Sequence, residues 1–193
     1  MSDQPVKQLI LQKIYLKDLS FESPKAPQVF NAQVTPQTQL NMRSNAREVG
    51  PNTQEVTLTL TVEAKEQDST LFLVEVAQAG VFTLQGYNDQ ERAMLLGSYC
   101  PSTLYPYARE AISDIVVKGG FPPLLLQPIN FDALYAQALQ QRQQGAQGDP
   151  AALNSGGAAA PEAAAPEAAA SAAGPAGDGA GEQPSDSKAG ETH

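Results

Sequence analysis

The chain has 193 residues, 21 acidic and 12 basic side chains, one cysteine and one histidine. Its formal charge of -9 disfavours nucleic acid and anionic membrane surfaces as partners, since both carry negative charge themselves. Cys100 alone excludes an intrachain disulfide and any multi-cysteine metal site, and His193, the sole histidine, leaves little room for a histidine-based triad or metal centre.

Lys7 to Glu22 reads as a strand, apolar on both parities near its start. Within it Asp18 and Glu22 share one face, with Leu19 and Phe21 on the other. Pro24 and Pro27 break the chain, and Gln33 to Arg43 reads as a second, weaker strand. Val56-Thr57-Leu58-Thr59-Leu60-Thr61-Val62 alternates without a fault, which predicts a strand with one dry and one wet face. Glu66-Gln67-Asp68-Ser69 supplies a polar hairpin loop. Leu71 to Gln85, rich in Val, Phe and Leu, follows as a fourth strand, with Val74, Val76 and Gln78 on one parity and Leu73 and Glu75 on the other. Four successive strands with short links predict an antiparallel meander.

After Gly86 the period changes. Asn88-Asp89 with Gln90-Glu91 predicts a helix start, which Cys100-Pro101 is expected to interrupt. Leu104, Ala108, Ile112, Ile115 and Val116 are spaced by three and four apart from the last adjacent pair, so 102 to 118 reads as an amphipathic helix with Pro106 in its first turn and Gly119-Gly120 as its stop. Phe121 to Asn130 carries three prolines and reads as an extended loop, yet Phe121, Leu124, Leu125, Leu126 and Ile129 make it unusually apolar. It is either an exposed binding surface or a loop packed under the last helix. Phe131 to Gln144 reads as that helix, with Leu134, Tyr135, Ala138 and Leu139 on one side.

Residues 145 to 193 hold 17 Ala, 9 Gly and 5 Pro, with Leu153 as the only large apolar side chain, and the element Ala-Ala-Ala-Pro-Glu occurs at 158–162 and again at 163–167. Such a segment buries too little apolar area to offset its ordering entropy, so a disordered tail is expected after a folded domain spanning 1–144. Seven acids against one base place most of the chain's acidity in that tail.

Few residues point to catalysis. The carboxylate pairs Asp18/Glu22 and Glu110/Asp114 read as solvated faces. Cys100 has no histidine partner and reads as a small buried apolar residue. No glycine-rich phosphate loop occurs, and no cofactor is expected. No apolar run exceeds four residues, and the first five lack the basic and apolar parts of a secretory signal, so a cytoplasmic protein without membrane insertion is expected.

Tyr99-Cys100-Pro101, then Leu104-Tyr105-Pro106-Tyr107-Ala108-Arg109-Glu110, then Gly120-Phe121-Pro122, then Pro128-Ile129-Asn130-Phe131-Asp132-Ala133-Leu134 resemble the signature blocks of SecB, the bacterial protein-export chaperone. Ile14 to Glu22 with Pro24 and Pro27 is similar to the family's first strand, and Phe72-Leu73-Val74-Glu75-Val76 with Gly80-Val81-Phe82 to its fourth. The blocks keep the family's order over residues 9 to 140. Ser102 and Tyr105 depart from the usual Asn and Phe, and the Ala/Pro-rich tail is longer than the family's short acidic one.

The resemblance implies an α+β fold: a four-stranded antiparallel sheet with two main helices on one face. It implies a homotetramer, a dimer of dimers with helices sandwiched between outer sheets, with Val74, Val76 and Gln78 as candidate subunit contacts unless they are ordinary core. It implies an ATP-independent holdase that keeps unfolded preproteins translocation-competent and delivers them to SecA. Clients would meet apolar surface built from Phe121, Leu124, Leu126, Ile129, Phe131 and Tyr135. SecA, through a basic zinc-containing segment, would meet Asp18, Glu22, Leu73 and Glu75. The alternatives are a SecB-like holdase for a toxin–antitoxin system or general cytosolic clients, and a small enzyme using Cys100.

Overall fold

A computed structural model of the chain describes residues 6–31, 36–145 and the pair Ala163–Ala164. Four long antiparallel strands form one twisted sheet: β1 (Gln8–Glu22), β2 (Gln37–Gly50), β3 (Thr53–Glu66) and β4 (Ser69–Gln85). A two-residue β5 (Ala163–Ala164) completes the order β1-β4-β3-β2-β5.

The meander expectation fails at β1. Strands β2, β3 and β4 are joined by tight hairpins, but β1 lies beside β4 instead of β2. The connection from β1 crosses the sheet end through a 3-10 turn at Gln28–Asn31. This gives β4, the most apolar strand, a neighbour on both edges and leaves polar β2 at the rim. The second strand also begins later and runs further than 33–43; residues 33 to 35 lie outside the described residues. Its run Gln39, Asn41, Arg43, Asn45, Arg47 carries no apolar signal to mark its extent. The hairpin turns use Asn52 and Gln67 in the left-handed region, at φ 54 and 53.

β1 contains two bulges, between Leu11 and Lys13 and between Leu16 and Asp18. Each inserts one unpaired residue, Gln12 and Lys17, and so switches which parity faces the core. Leu9, Ile14, Leu19 and Phe21 all pack against the core despite their mixed parity.

Asn88 caps α1 (Asp89–Met94) with a reciprocal capping box to Glu91. Cys100-Pro101 does not interrupt the helix. A widened π-type turn, Leu95–Tyr99, carries the backbone into α2 (Cys100–Lys118), and the Cys100 N–H donates to the Leu95 carbonyl five residues back. The widening falls just ahead of Pro101, whose ring would clash with the carbonyl of a regular turn. Pro106 is therefore well inside a helical run, on its exposed side, and not in a first turn. Leu104, Ala108, Ile112 and Val116 are fully buried where α2 packs on β4 and β3, against the dry faces of Val56, Leu58, Leu60 and Val62. Fully burying one such side chain is worth about 1.5–3 kcal/mol. Gly119 caps α2, and Gly120 at φ 85 turns the chain away.

α3 (Phe131–Gly145) packs on the π-type turn, where the Ser98 hydroxyl donates to the Asp132 carboxylate. The expected disorder of residues 145–193 falls outside the described residues, apart from Gly145 at the end of α3 and the Ala163–Ala164 pair on β2.

Candidate binding surfaces

Partners in an antiparallel ladder share a face, so register alone assembles the outer surface of the sheet. Glu22 stands opposite Leu73, Ser20 opposite Glu75 and Asp18 opposite Ala77. Asp18, Glu22 and Glu75 are exposed, and Leu73 is half-buried among them. All four residues singled out for this surface are thus brought together, on the face away from the helices. Across β4, Glu63 lies opposite Leu73 and Thr61 opposite Glu75, where the Thr61 hydroxyl donates to Glu75 Oε2 at 2.9 Å. Glu63 is a further acid that sequence reasoning missed. Its signal was the wet parity of β3, continued by one residue past Val62. The Lys65 ammonium at 2.9 Å, with the Thr70 hydroxyl, holds the Glu63 carboxyl below its ordinary range.

The other end of the outer face is built differently. Glu55, 6% exposed, accepts from the Tyr15 hydroxyl, from Lys17 Nζ at 2.9 Å and from Arg47 Nη2 at 3.0 Å. The Tyr15 bond, then the Lys17 ammonium, keep its carboxyl below the usual value, and the same bond pushes the Tyr15 hydroxyl up. This cluster ties β1, β3 and β2 together. The net negative surface is therefore confined to the Asp18–Glu22 end.

On the helical side, the 121–130 segment is fastened to α2. The Tyr105 hydroxyl donates to the Gln127 carbonyl at 2.5 Å, and the Tyr105 ring meets Phe131 edge-on at 5.5 Å. Arg109 lies over the Tyr105 ring at 5.7 Å. The segment is partly packed and partly open. Leu124, Leu126 and Phe131 are buried by the same chain, whereas Phe121, Ile129 and Tyr135 are half-open. Leu125, 68% exposed, is the most open apolar side chain of the segment, and nothing in the sequence distinguishes it from Leu124 and Leu126. A groove of about 460 Å3 separates this segment from the outer side of α2, lined by Pro106, Arg109, Val117, Leu125 and Leu126 among others.

At the loop's start, Phe121 packs with Phe72 at 4.8 Å, Phe30 at 5.3 Å and Phe21 at 6.3 Å. Phe30 is half exposed. It sits alone in a proline-rich link with no periodicity around it, so the sequence carries no signal for its role.

Val74 and Val76 are 0% exposed and Gln78 4% within a single chain. They form the floor under α2. The expectation that they face another subunit is corrected: one chain already covers them, as in the core alternative.

Cys100 is buried, and burial pushes its thiol up to about 12. A thiolate nucleophile is not available there at neutral pH. Among the described residues, no cluster of three or more His, Cys, Asp or Glu side chains could hold a metal ion, and no helix is long and apolar enough to cross a membrane.

A family model described as preprotein translocase subunit SecB matches residues 2–142. The chain belongs to the SecB family. Protein-export protein SecB of Methylococcus capsulatus is 51% identical over 146 residues, covering 76% of this chain and 94% of its own. That of Nitrosococcus oceani is 55% identical over 138 residues, covering 70% and 84%. Membership makes this chain a protein-export chaperone, as its SecB blocks implied. A SecB-like chaperone of Mycobacterium tuberculosis, solved with an antitoxin peptide, superposes with a TM-score of 0.49 at 18% identity, over 63% of this chain and 87% of its own. The match to SecB ends at residue 142, close to where α3 ends.

Proposed function

We propose that this chain is an ATP-independent, cytoplasmic holdase without catalytic activity of its own, which binds unfolded preproteins on its helical side and passes them to SecA through the acidic end of its outer sheet face. The observation that carries the receptor half is the register of β1 on β4. It groups Asp18, Glu22 and Glu75 around half-buried Leu73 on the face opposite the helices. Exposed single ion pairs are worth only about 0–1 kcal/mol. An acidic patch presented several times by an oligomer can still steer a basic partner and hold it by multivalency.

For clients, the half-open side chains Phe121, Ile129 and Tyr135 with exposed Leu125 supply contact area, and buried Leu124, Leu126 and Phe131 support them from beneath. Unfolded chains expose scattered apolar residues, so extended apolar area with little sequence selectivity suits a holdase. A homotetramer is supported by the outer side of α2, where Tyr107 and Val117 are about half exposed (51% and 50%).

The test is replacement of Asp18, Glu22 and Glu75 together by the neutral amides. SecA affinity and its salt dependence should fall, while preprotein holding and oligomer mass stay the same. Unchanged SecA affinity removes this surface as the receptor site. A chain that holds preproteins but never binds SecA serves other clients.

A further inference from the structure

Register lays out the outer face of the sheet row by row. One row runs Glu22–Leu73–Glu63 across β1, β4 and β3, and the next runs Ser20–Glu75–Thr61. Adjacent strands lie about 4.8 Å apart, and alternate residues along a strand about 6.8 Å. Leu73 therefore has Glu22 and Glu63 as its two lateral neighbours and Glu75 as its neighbour along β4. Asp18, paired with Ala77, stands two rows further on, roughly 13 Å along the sheet. Glu63 is thus nearer to the apolar centre of the acidic surface than Asp18 is.

Glu63 also has a cation on it already. Its Oε1 accepts from the Thr70 hydroxyl at 2.9 Å, and Lys65 Nζ lies 2.9 Å from its Oε2. The Thr61 hydroxyl holds Glu75 as Thr70 holds Glu63. These threonine bonds orient both carboxylates before a partner arrives. The Lys65 ammonium acts differently, because it occupies the place that a partner's cation would take. The Lys65 side chain is 39% exposed and that of Glu63 30%, so the pair is open to exchange. An ion pair this exposed adds little to the fold, and Lys65 can leave it at small cost.

We propose that Glu63 is a fourth acid of the receptor surface and Lys65 its built-in competitor, so that the surface fits a segment bearing one apolar side chain with a basic residue on either side. The apolar side chain covers Leu73, one cation lies on Glu22, and the other replaces Lys65 on Glu63. This rests on the acidic end of the outer face being the receptor site.

The test measures SecA affinity at low ionic strength for full-length Glu63→Gln and Lys65→Met. Lys7→Met and Glu91→Gln are the controls: they make the same charge changes in another exposed Lys–Glu pair, at the far end of the sheet. Glutamine keeps the capping role of residue 91. Thermal unfolding confirms that each variant is folded. Glu63→Gln should weaken binding and Lys65→Met should tighten it, each by roughly two- to fivefold, the worth of an exposed pair. Both controls should stay near the parent. No change in Glu63→Gln or in Lys65→Met, or weakening in both, overturns the proposal, since the pair is then only a structural tie. Controls that shift as far as their counterparts also overturn it, because net charge alone then accounts for the effect. The variant with Asp18, Glu22 and Glu75 all neutralised separates the two claims. If it loses SecA affinity and Glu63→Gln does not, this inference falls and the receptor site stands. If it binds SecA as the parent does, both fall.

Discussion

Gly119 stands directly against the ring of Phe21: a Cβ built on this glycine would lie 2.1 Å from the ring's Cζ atom. The end of α2 can therefore approach β1 only because residue 119 has no side chain. Phe21 in turn stacks on Phe72 at 6.0 Å and reaches Phe121 at 6.3 Å. Gly119→Ala should push the Phe21 ring out of this cluster and cost about 1–3 kcal/mol, as overpacking does. Chemical denaturation would measure it. A variant as stable as the parent would show that the ring has another place to go.

The buried Glu55 predicts an acid limb in stability. Its folded pKa is lowered, first by the Tyr15 hydroxyl and then by Lys17. An unfolded glutamate titrates near its ordinary value of about 4.3. The contribution is thus complete above that value and is lost as pH falls through the lower folded one. Glu55→Gln should cost about 1.5–3 kcal/mol at neutral pH, the range for hydrogen bonds to a charged group. The difference between parent and variant should shrink below about pH 4. A difference independent of pH down to 2 would mean that the carboxylate charge is not what matters.

Tyr105→Phe removes the donor to the Gln127 carbonyl and leaves the ring between Phe131 and Arg109. The expected cost is about 0.5–1.5 kcal/mol. Amide exchange should quicken over 121–130 and stay the same in the middle of α2. Equal change in both would place the effect in global stability instead of the loop's anchor.

Cys100→Ser puts a hydroxyl where burial pushes the thiol up to about 12. A loss of about 1–3 kcal/mol in stability is expected, with preprotein holding retained. The native chain should react with a thiol reagent far more slowly than the unfolded one. Rapid native labelling would contradict the buried placement.

Where the local pattern and tertiary packing agreed, the sequence was a sufficient guide. The unbroken alternation from Val56 to Val62 is the buried–half-buried alternation of β3, and Asn88 caps α1 as its neighbours implied. The misreadings have two physical causes: some features depend on chain distant in sequence, and others on local backbone that carries no hydrophobic signal. The pairing of β1 with β4 is decided by which strand needs two neighbours, which no local window contains. The length of β2 was hidden by polar residues on a rim strand, and the helix through Pro101 by a turn one residue wider than standard. Parity placed Val74, Val76 and Gln78 on one face correctly but could not say that α2 already lay on it. Of the surface sites, the acidic one needed the parity of two strands and also their adjacency, which parity does not supply. The apolar one needed to know which leucines turn inward, and Leu124, Leu125 and Leu126 are indistinguishable as letters.

The bulges of β1 also set where the chain tolerates a change of length. Gln12 and Lys17 are supernumerary, since Leu11 and Lys13 oppose the adjacent residues Phe82 and Val81, and Leu16 and Asp18 oppose Gln78 and Ala77. Deleting either one straightens the ladder locally and leaves every other side chain on its present face. The loss is confined to one contact, Gln12 to the Thr83 hydroxyl at 2.7 Å or Lys17 to Glu55. Deleting a paired residue such as Ser20 instead inverts everything beyond it, turning Phe21 to solvent and Glu22 onto the aromatic cluster. Single-residue gaps among natural variants of this strand should accordingly fall at 12 and 17, and nowhere between 18 and 22.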